Sequence, residues 1–164
     1  MTVLDASPKT HALEVVPMGD RGHPVGGMCW RRAFPGRPAE AGRAREFVQF
    51  LISGFSRADD VVLAAGEMTA NALQHTRSGL PGGLFVVEVR AWRGGVALSV
   101  TDQGGTREPC PRPLAPPADW DDPLALAESG RGLLTIAALA SVWDWCGGPS
   151  GRTVRAQFTR WGSR

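Results

Sequence analysis

Three short motifs follow one another along this chain: Glu67-x-x-x-Asn71, Asp102-Gln103-Gly104 and Gly130-Arg131-Gly132-Leu133, with Thr153 behind them in Gly151-Arg152-Thr153-Val154. Their order is the strongest constraint the chain carries. The first lies in a stretch of helical periodicity, the second at the end of an alternating stretch, and the third at the start of another helical one. A fold that uses all three must bring a helix face, a strand end and a helix N-terminus together.

The pattern around the motifs supplies those elements. From roughly Ala58 to Thr76, Val61, Val62, Ala65, Thr69, Ala72 and Leu73 gather on one side of a helix. Asp60, Glu67, Asn71 and Gln74 form a stripe on the other side, with Leu63 inside it. An earlier helix is expected from Pro38, with Ala44, Phe47, Val48 and Leu51 at helical spacing and Gly54 as its stop. Met28–Phe34 reads as a strand. Phe85, Val87, Val89 and Ala91 alternate with Val86, Glu88 and Arg90; after Arg93-Gly94-Gly95, Val96, Leu98 and Val100 alternate back into Asp102. This predicts an antiparallel hairpin. Leu133, Ile136, Ala137 and Ala140 predict a third helix, and Val142–Cys146 and Thr153–Trp161 two last strands, with Val154, Ala156 and Phe158 on the buried face. The expected fold class is α+β, a two-layer sandwich with helices on one face of a mostly antiparallel mixed sheet.

A chain of 164 residues fits one domain, here expected over 28–161. Residues 1–27, rich in Pro and Gly, read as a poorly ordered tail. A long loop near 103–129 carries Pro109, Pro111, Pro113, Pro116, Pro117 and Pro123, and Asp119, Asp121 and Asp122 surround Trp120. Loops of that length inside a domain are functional or disordered.

Composition removes several classes. A formal charge of +2 gives no strong field for nucleic acid or a membrane surface. Cys29, Cys110 and Cys146 lack the close spacing of a zinc site and fit a reduced, cytoplasmic protein. His11, His23 and His75 are scattered. Residues 1–20 hold no continuous apolar core of a leader, and Leu133–Trp145 is too short and interrupted to span a bilayer.

Each motif has chemistry. Glu67 and Asn71, four apart on a helix, are neighbours. An amide oxygen suits Mg²⁺, and a carboxylate beside it can accept a proton. Asp102 at a strand end can accept from an exocyclic amine, and Gly104 lets backbone approach a flat base. Glycines opening a helix present N–H groups to an anion. Alone, each reads first as an ordinary feature: a solvated helix face, a turn, a hinge. There is no G-x-x-x-x-G-K-[ST] phosphate loop, and Thr135 breaks a G-x-G-x-x-G fingerprint.

Taken in order, the Glu-x-x-x-Asn helix, Asp-x-Gly strand end, long loop, Gly-x-Gly-Leu helix start and late Thr resemble the Bergerat-type, histidine-kinase-like ATPase fold. Within it the chain looks most like the bacterial anti-sigma-factor serine/threonine kinases. Asn71-Ala72-Leu73-Gln74-His75-Thr76, followed by Ser78-Gly79-Leu80-Pro81-Gly82-Gly83, is close to that group's wording. The resemblance covers about 28–161, with 103–129 as a lid.

That resemblance implies an ATP-binding regulator that uses Mg²⁺ and transfers the ATP γ-phosphate to a Ser or Thr of an anti-anti-sigma partner, controlling transcription. By position, Glu67 would be the general base and Asn71 the Mg²⁺ ligand. Asp102 would bind the adenine amine with Gly104 beside the base. Gly130, Arg131, Gly132 and Leu133 would serve the phosphates, and Thr153 would support adenine through its hydroxyl. The implied partners are an anti-anti-sigma protein, a sigma factor, or both, and the family often forms homodimers. An alternative is a non-catalytic, nucleotide-gated module that sequesters a sigma factor or another regulator. One departure stands out. The family's D-x-G-x-G is here Asp102-Gln103-Gly104-Gly105-Thr106, which leaves the hinge of the lid open to question more than the adenine contact.

Overall fold

A sheet of five strands in the order β1-β2-β3-β5-β4 carries the molecule. The computed structural model describes residues 27–106 and 131–160. Residues 1–26 of the tail expected over 1–27, most of the proline-rich loop, Cys110 and Gly130 lie outside the described residues. The strands are β1 (Met28–Pro35), β2 (Leu84–Trp92), β3 (Gly95–Asp102), β4 (Val142–Gly148) and β5 (Gly151–Thr159). The helices are α1 (Pro38–Leu51), α2 (Ala58–His75) and α3 (Arg131–Leu139). A 3-10 turn at Arg77–Gly79 follows α2. Every pairing among these strands is antiparallel, so no parallel element is needed to account for the sheet.

Period-2 alternation decides which side of the sheet is buried. Phe85, Val87 and Val89 from β2, Val96, Leu98 and Val100 from β3, and Val154, Ala156 and Phe158 from β5 all enter the core. Phe34 of β1 stacks on its cross-strand neighbour Phe85, with ring centroids 5.4 Å apart. The helices cover this face with Ala44 and Val48 of α1, Val61, Ala64, Ala65, Met68 and Ala72 of α2, and Leu133 and Ile136 of α3. Trp143 of β4 is buried and Trp145 packs against the same core, as strand alternation predicts. The opposite face carries Glu88, Arg90, Asp144 and Arg155.

Two local details differ from expectation. Helix α1 stops at Leu51, without using Gly54. Ile52, buried at its end, keeps an N–H bond to the Val48 carbonyl at 3.2 Å and turns inward before a glycine is required. On α2, Ala64 and Met68 join the buried face, while Val62 and Leu73 are only partly covered; Leu63 stays 50% exposed.

The connection that matters for the site runs from α2 to α3. Arg57, just before α2, bonds Asp60 at 2.9 Å and also donates to the carbonyls of Leu139 and Thr159. It therefore fixes the C-terminal end of α3 beside the start of α2. The two helices run antiparallel, and the N-terminus of α3 falls farther along α2, at Glu67 and Asn71. Among the described residues no helix is long and apolar enough to cross a membrane.

Candidate functional site

The first and third motifs meet. A Cβ placed on Gly132 would stand 2.7 Å from Glu67 Oε2 and 3.2 Å from Asn71 Nδ2. The backbone at the start of α3 thus lies directly over the Glu67–Asn71 pair. Both side chains are half-buried, not a freely solvated helix face. A helix N-terminus carries partial positive charge and unpaired N–H groups. Here it is set against a carboxylate and an amide, and the absence of a side chain at 132 is what allows the approach.

The second motif forms a tightly held turn at the C-terminal end of α2, about one helical turn beyond Asn71. Asp102 closes β3 with 9% exposure and accepts from the Gly104 N–H at 2.6 Å. Gly104 has φ +72°, and a Cβ there would fall 2.2 Å from the Pro149 carbonyl oxygen, in the β4–β5 connection. Glycine is needed on both counts. Burial pushes the Asp102 carboxyl above its ordinary value; the Gly104 N–H, the positive charge of Arg152 and the Arg152 main-chain N–H pull against that rise.

Three successive carbonyls of this turn each accept from an arginine. Arg77 donates through Nε and Nη2 to the Gln103 carbonyl, at 3.1 and 2.8 Å, and its Nη2 also reaches the Pro149 carbonyl at 2.8 Å. The Arg77 main-chain N–H donates to the Gly104 carbonyl at 2.8 Å. Arg152 Nη2 donates to the Gly105 carbonyl at 2.6 Å. Ser78 Oγ accepts from the Gln103 N–H at 2.9 Å, and Gln103 Oε1 accepts from the Leu84 N–H at 3.2 Å. Thr106 in place of the family's second glycine therefore does not leave the strand end loose. Side chains from the 3-10 turn after α2 and from β5 fix it.

The remaining motif residues separate. Thr153 is cross-strand from Thr101, and their hydroxyls lie 2.9 Å apart. Because sides alternate along β5, both point to the open face of the sheet. The residue that shares the helix-covered face with Asp102 is its cross-strand neighbour Arg152, 4% exposed. Thr153, which the resemblance would have support adenine, thus lies on the sheet face opposite to that of Asp102 and Arg152. Leu133 is buried in the core, where it anchors α3. Arg131 is the first residue of α3, and Gly130 lies outside the described residues. Sequence reading missed Arg152, although counting back by two from Phe158, Ala156 and Val154 reaches it. It also missed Arg77 and Ser78, whose contacts span the chain and leave no local signal.

Comparisons with known proteins bear on the fold. Residues 34–158 match the family described as the histidine kinase-like ATPase domain. Among solved structures, the RsbU and RsbW domains of a Mycobacterium tuberculosis protein align over 80% of this chain and 32% of that one, with 20% identity and a TM-score of 0.57. This chain thus spans about a third of that protein. The SiaB-SiaC complex from Pseudomonas aeruginosa aligns over 80% of this chain and 88% of the other, with 19% identity and a TM-score of 0.52. At these identities the likeness is one of fold. A search of curated proteins finds no match.

Proposed function

The chain belongs to the histidine kinase-like ATPase domain family, and from that premise we propose that it is an ATP-dependent regulator that phosphorylates a Ser or Thr of a small anti-anti-sigma protein. The observation that carries the reading is the meeting of Glu67 and Asn71 with the N-terminus of α3 at Gly132. Phosphate needs N–H donors and positive potential, which a helix start supplies. A proton acceptor for the attacking hydroxyl is needed beside it, and Glu67 stands there.

The donor set fits Mg²⁺. That ion keeps several waters and takes only one or two protein oxygens alongside the phosphates. Asn71 would supply an amide oxygen next to the cradle that a side chain at 132 would fill. When bound, Mg²⁺ neutralises charge on the phosphates. Asp102, beside the C-terminal end of α2, would accept the adenine 6-amine. Glu67 accepts the hydroxyl proton as that oxygen bonds the γ-phosphorus, the bond to the bridging oxygen breaks, and ADP leaves. Catalysis of this kind rests on positioning and charge.

The test is phosphotransfer from labelled Mg²⁺-ATP to a panel of anti-anti-sigma proteins, with wild type and Glu67→Ala. Labelled partner with wild type and about 100-fold less with the variant supports the reading. Partner capture that depends on ATP, with no label, favours instead a non-catalytic module that sequesters a sigma factor or another regulator. A homodimer and a cytoplasmic location remain part of the proposal.

A further inference from the structure

Arg152 is the charged residue in an otherwise apolar row. The other helix-facing positions of β5 are Val154, Ala156 and Phe158, all buried. Arg152 is buried with them, directly across from Asp102. Its Nη2 holds the Gly105 carbonyl at 2.6 Å, and its charge acts on the Asp102 carboxylate. Burying opposite charges gives little net stability, and apolar residues in the same space often serve a fold as well or better. The arrangement therefore points to a use other than stability.

We propose that Arg152 is a positioning residue that sets nucleobase choice, holding the Asp102 turn so that it takes a 6-amino purine and rejects a 6-oxo purine. The inference rests on the nucleotide reading above. An ionised carboxylate only accepts hydrogen bonds, and its two oxygens offer about four sites. The main-chain N–H groups of Gly104 and Arg152 use part of that capacity. An adenine amine donates to what is left, whereas a hypoxanthine 6-oxo group is itself an acceptor and meets like with like. Burial raises the Asp102 carboxyl above its ordinary value, and a carboxyl that held its proton would donate and so tolerate a 6-oxo group. The Arg152 guanidinium opposes that rise, and across the strand pair it stands on the side of the ionised, accepting carboxylate. Arg77 holds the same turn through the Gln103 carbonyl, so it supports shape and not the acceptor character of the carboxylate.

The test is calorimetric titration of the full chain with Mg²⁺-ATP and with Mg²⁺-ITP, for wild type, R152K, R152M and R77M. Wild type is expected to prefer ATP by roughly 10–100-fold, the range of one charge-assisted hydrogen bond. In R152M that ratio falls about ten-fold, R152K keeps most of it, and R77M weakens both nucleotides while leaving the ratio in place. R152Q, which keeps a donor for the Gly105 carbonyl but not the charge, gives the same reading where R152M fails to fold. A folded R152M or R152Q with the wild-type ratio overturns the proposal. Equal affinity of wild type for ATP and ITP overturns it too, and leaves ATP binding standing. Binding of neither nucleotide by wild type overturns the nucleotide reading as well.

Discussion

Gly132 and Glu67 are in contact range across two helices: a Cβ at 132 would lie 2.7 Å from the Glu67 carboxylate oxygen. Neither residue is near the other in sequence, and the Arg57 tie between α2 and α3 sets their approach. This closeness separates stability from binding in an unusual way. Alanine is a better helix former than glycine by about 0.8–1 kcal/mol, yet it would have to displace Glu67. Gly132→Ala should therefore leave apo stability within about 1 kcal/mol of wild type and cut the nucleotide-induced rise in Tm to less than half. Paired thermal melts check it; an undiminished nucleotide shift would mean that ATP does not use this approach.

Asp102 carries a stability cost that its proposed function explains. Its carboxyl is raised by burial above the ordinary 3.8. Between the unfolded and folded values the folded state binds more protons, so stability falls as pH rises through that window. Asp102→Asn keeps an acceptor for the Gly104 N–H and removes the charge. The variant should gain Tm relative to wild type as pH climbs from 3.8, with the difference level once the folded carboxyl is ionised. Its ATP affinity should fall. Melts across pH, read as variant minus wild type, isolate Asp102 from Asp144, which burial also raises.

Gly104 is held by geometry on two sides, a φ of +72° and the Pro149 carbonyl 2.2 Å from a would-be Cβ. Gly104→Ala should destabilise by at least about 1–2 kcal/mol for the left-handed backbone alone. A Cβ on Gly148 meets nothing within 4 Å, so Gly148→Ala should stay within about 0.5 kcal/mol. Denaturant midpoints of the two variants give the comparison.

Leu98 is fully buried at the centre of β3, with β2 and β5 on either side. Leu98→Ala should cost about 2–5 kcal/mol by lost burial and the cavity left behind. The same denaturant titration measures it, and a smaller loss would mean that α2 collapses onto the gap.

Much of this was legible in the sequence. The alternation of Phe85 to Ala91 and Val96 to Val100 gave β2 and β3, and Pro38 marked the first turn of α1, because both signals act within a few residues. The end of α1 was missed: Ile52 turns into the core, a tertiary effect that outweighs the glycine signal at Gly54. The Glu67–Asn71 pair was found by helical spacing, but its cover by Gly132 depends on a crossing set by Arg57, which no local pattern encodes. Thr153 shows how a motif match and strand alternation carry different information. A motif match placed it in the site, while the alternation of Val154, Ala156 and Phe158 already assigned its side chain to the open face and Arg152 to the covered one. The arginine bonds that hold the Asp102 turn join residues 77, 103 and 152, and only the folded chain brings them together.

Thermal unfolding with and without Mg²⁺-ATP, on wild type and Asn71→Ala, tests the central claim most directly. A ligand at about 100 times its Kd adds roughly 2.7 kcal/mol, or a rise of about 5–11 °C for a chain of this size. The account predicts that rise in wild type, its dependence on Mg²⁺, and its near loss in a folded Asn71→Ala. No rise in well-folded wild type at high ATP, or an equal rise in the variant, would contradict a nucleotide site built on Glu67, Asn71 and Gly132.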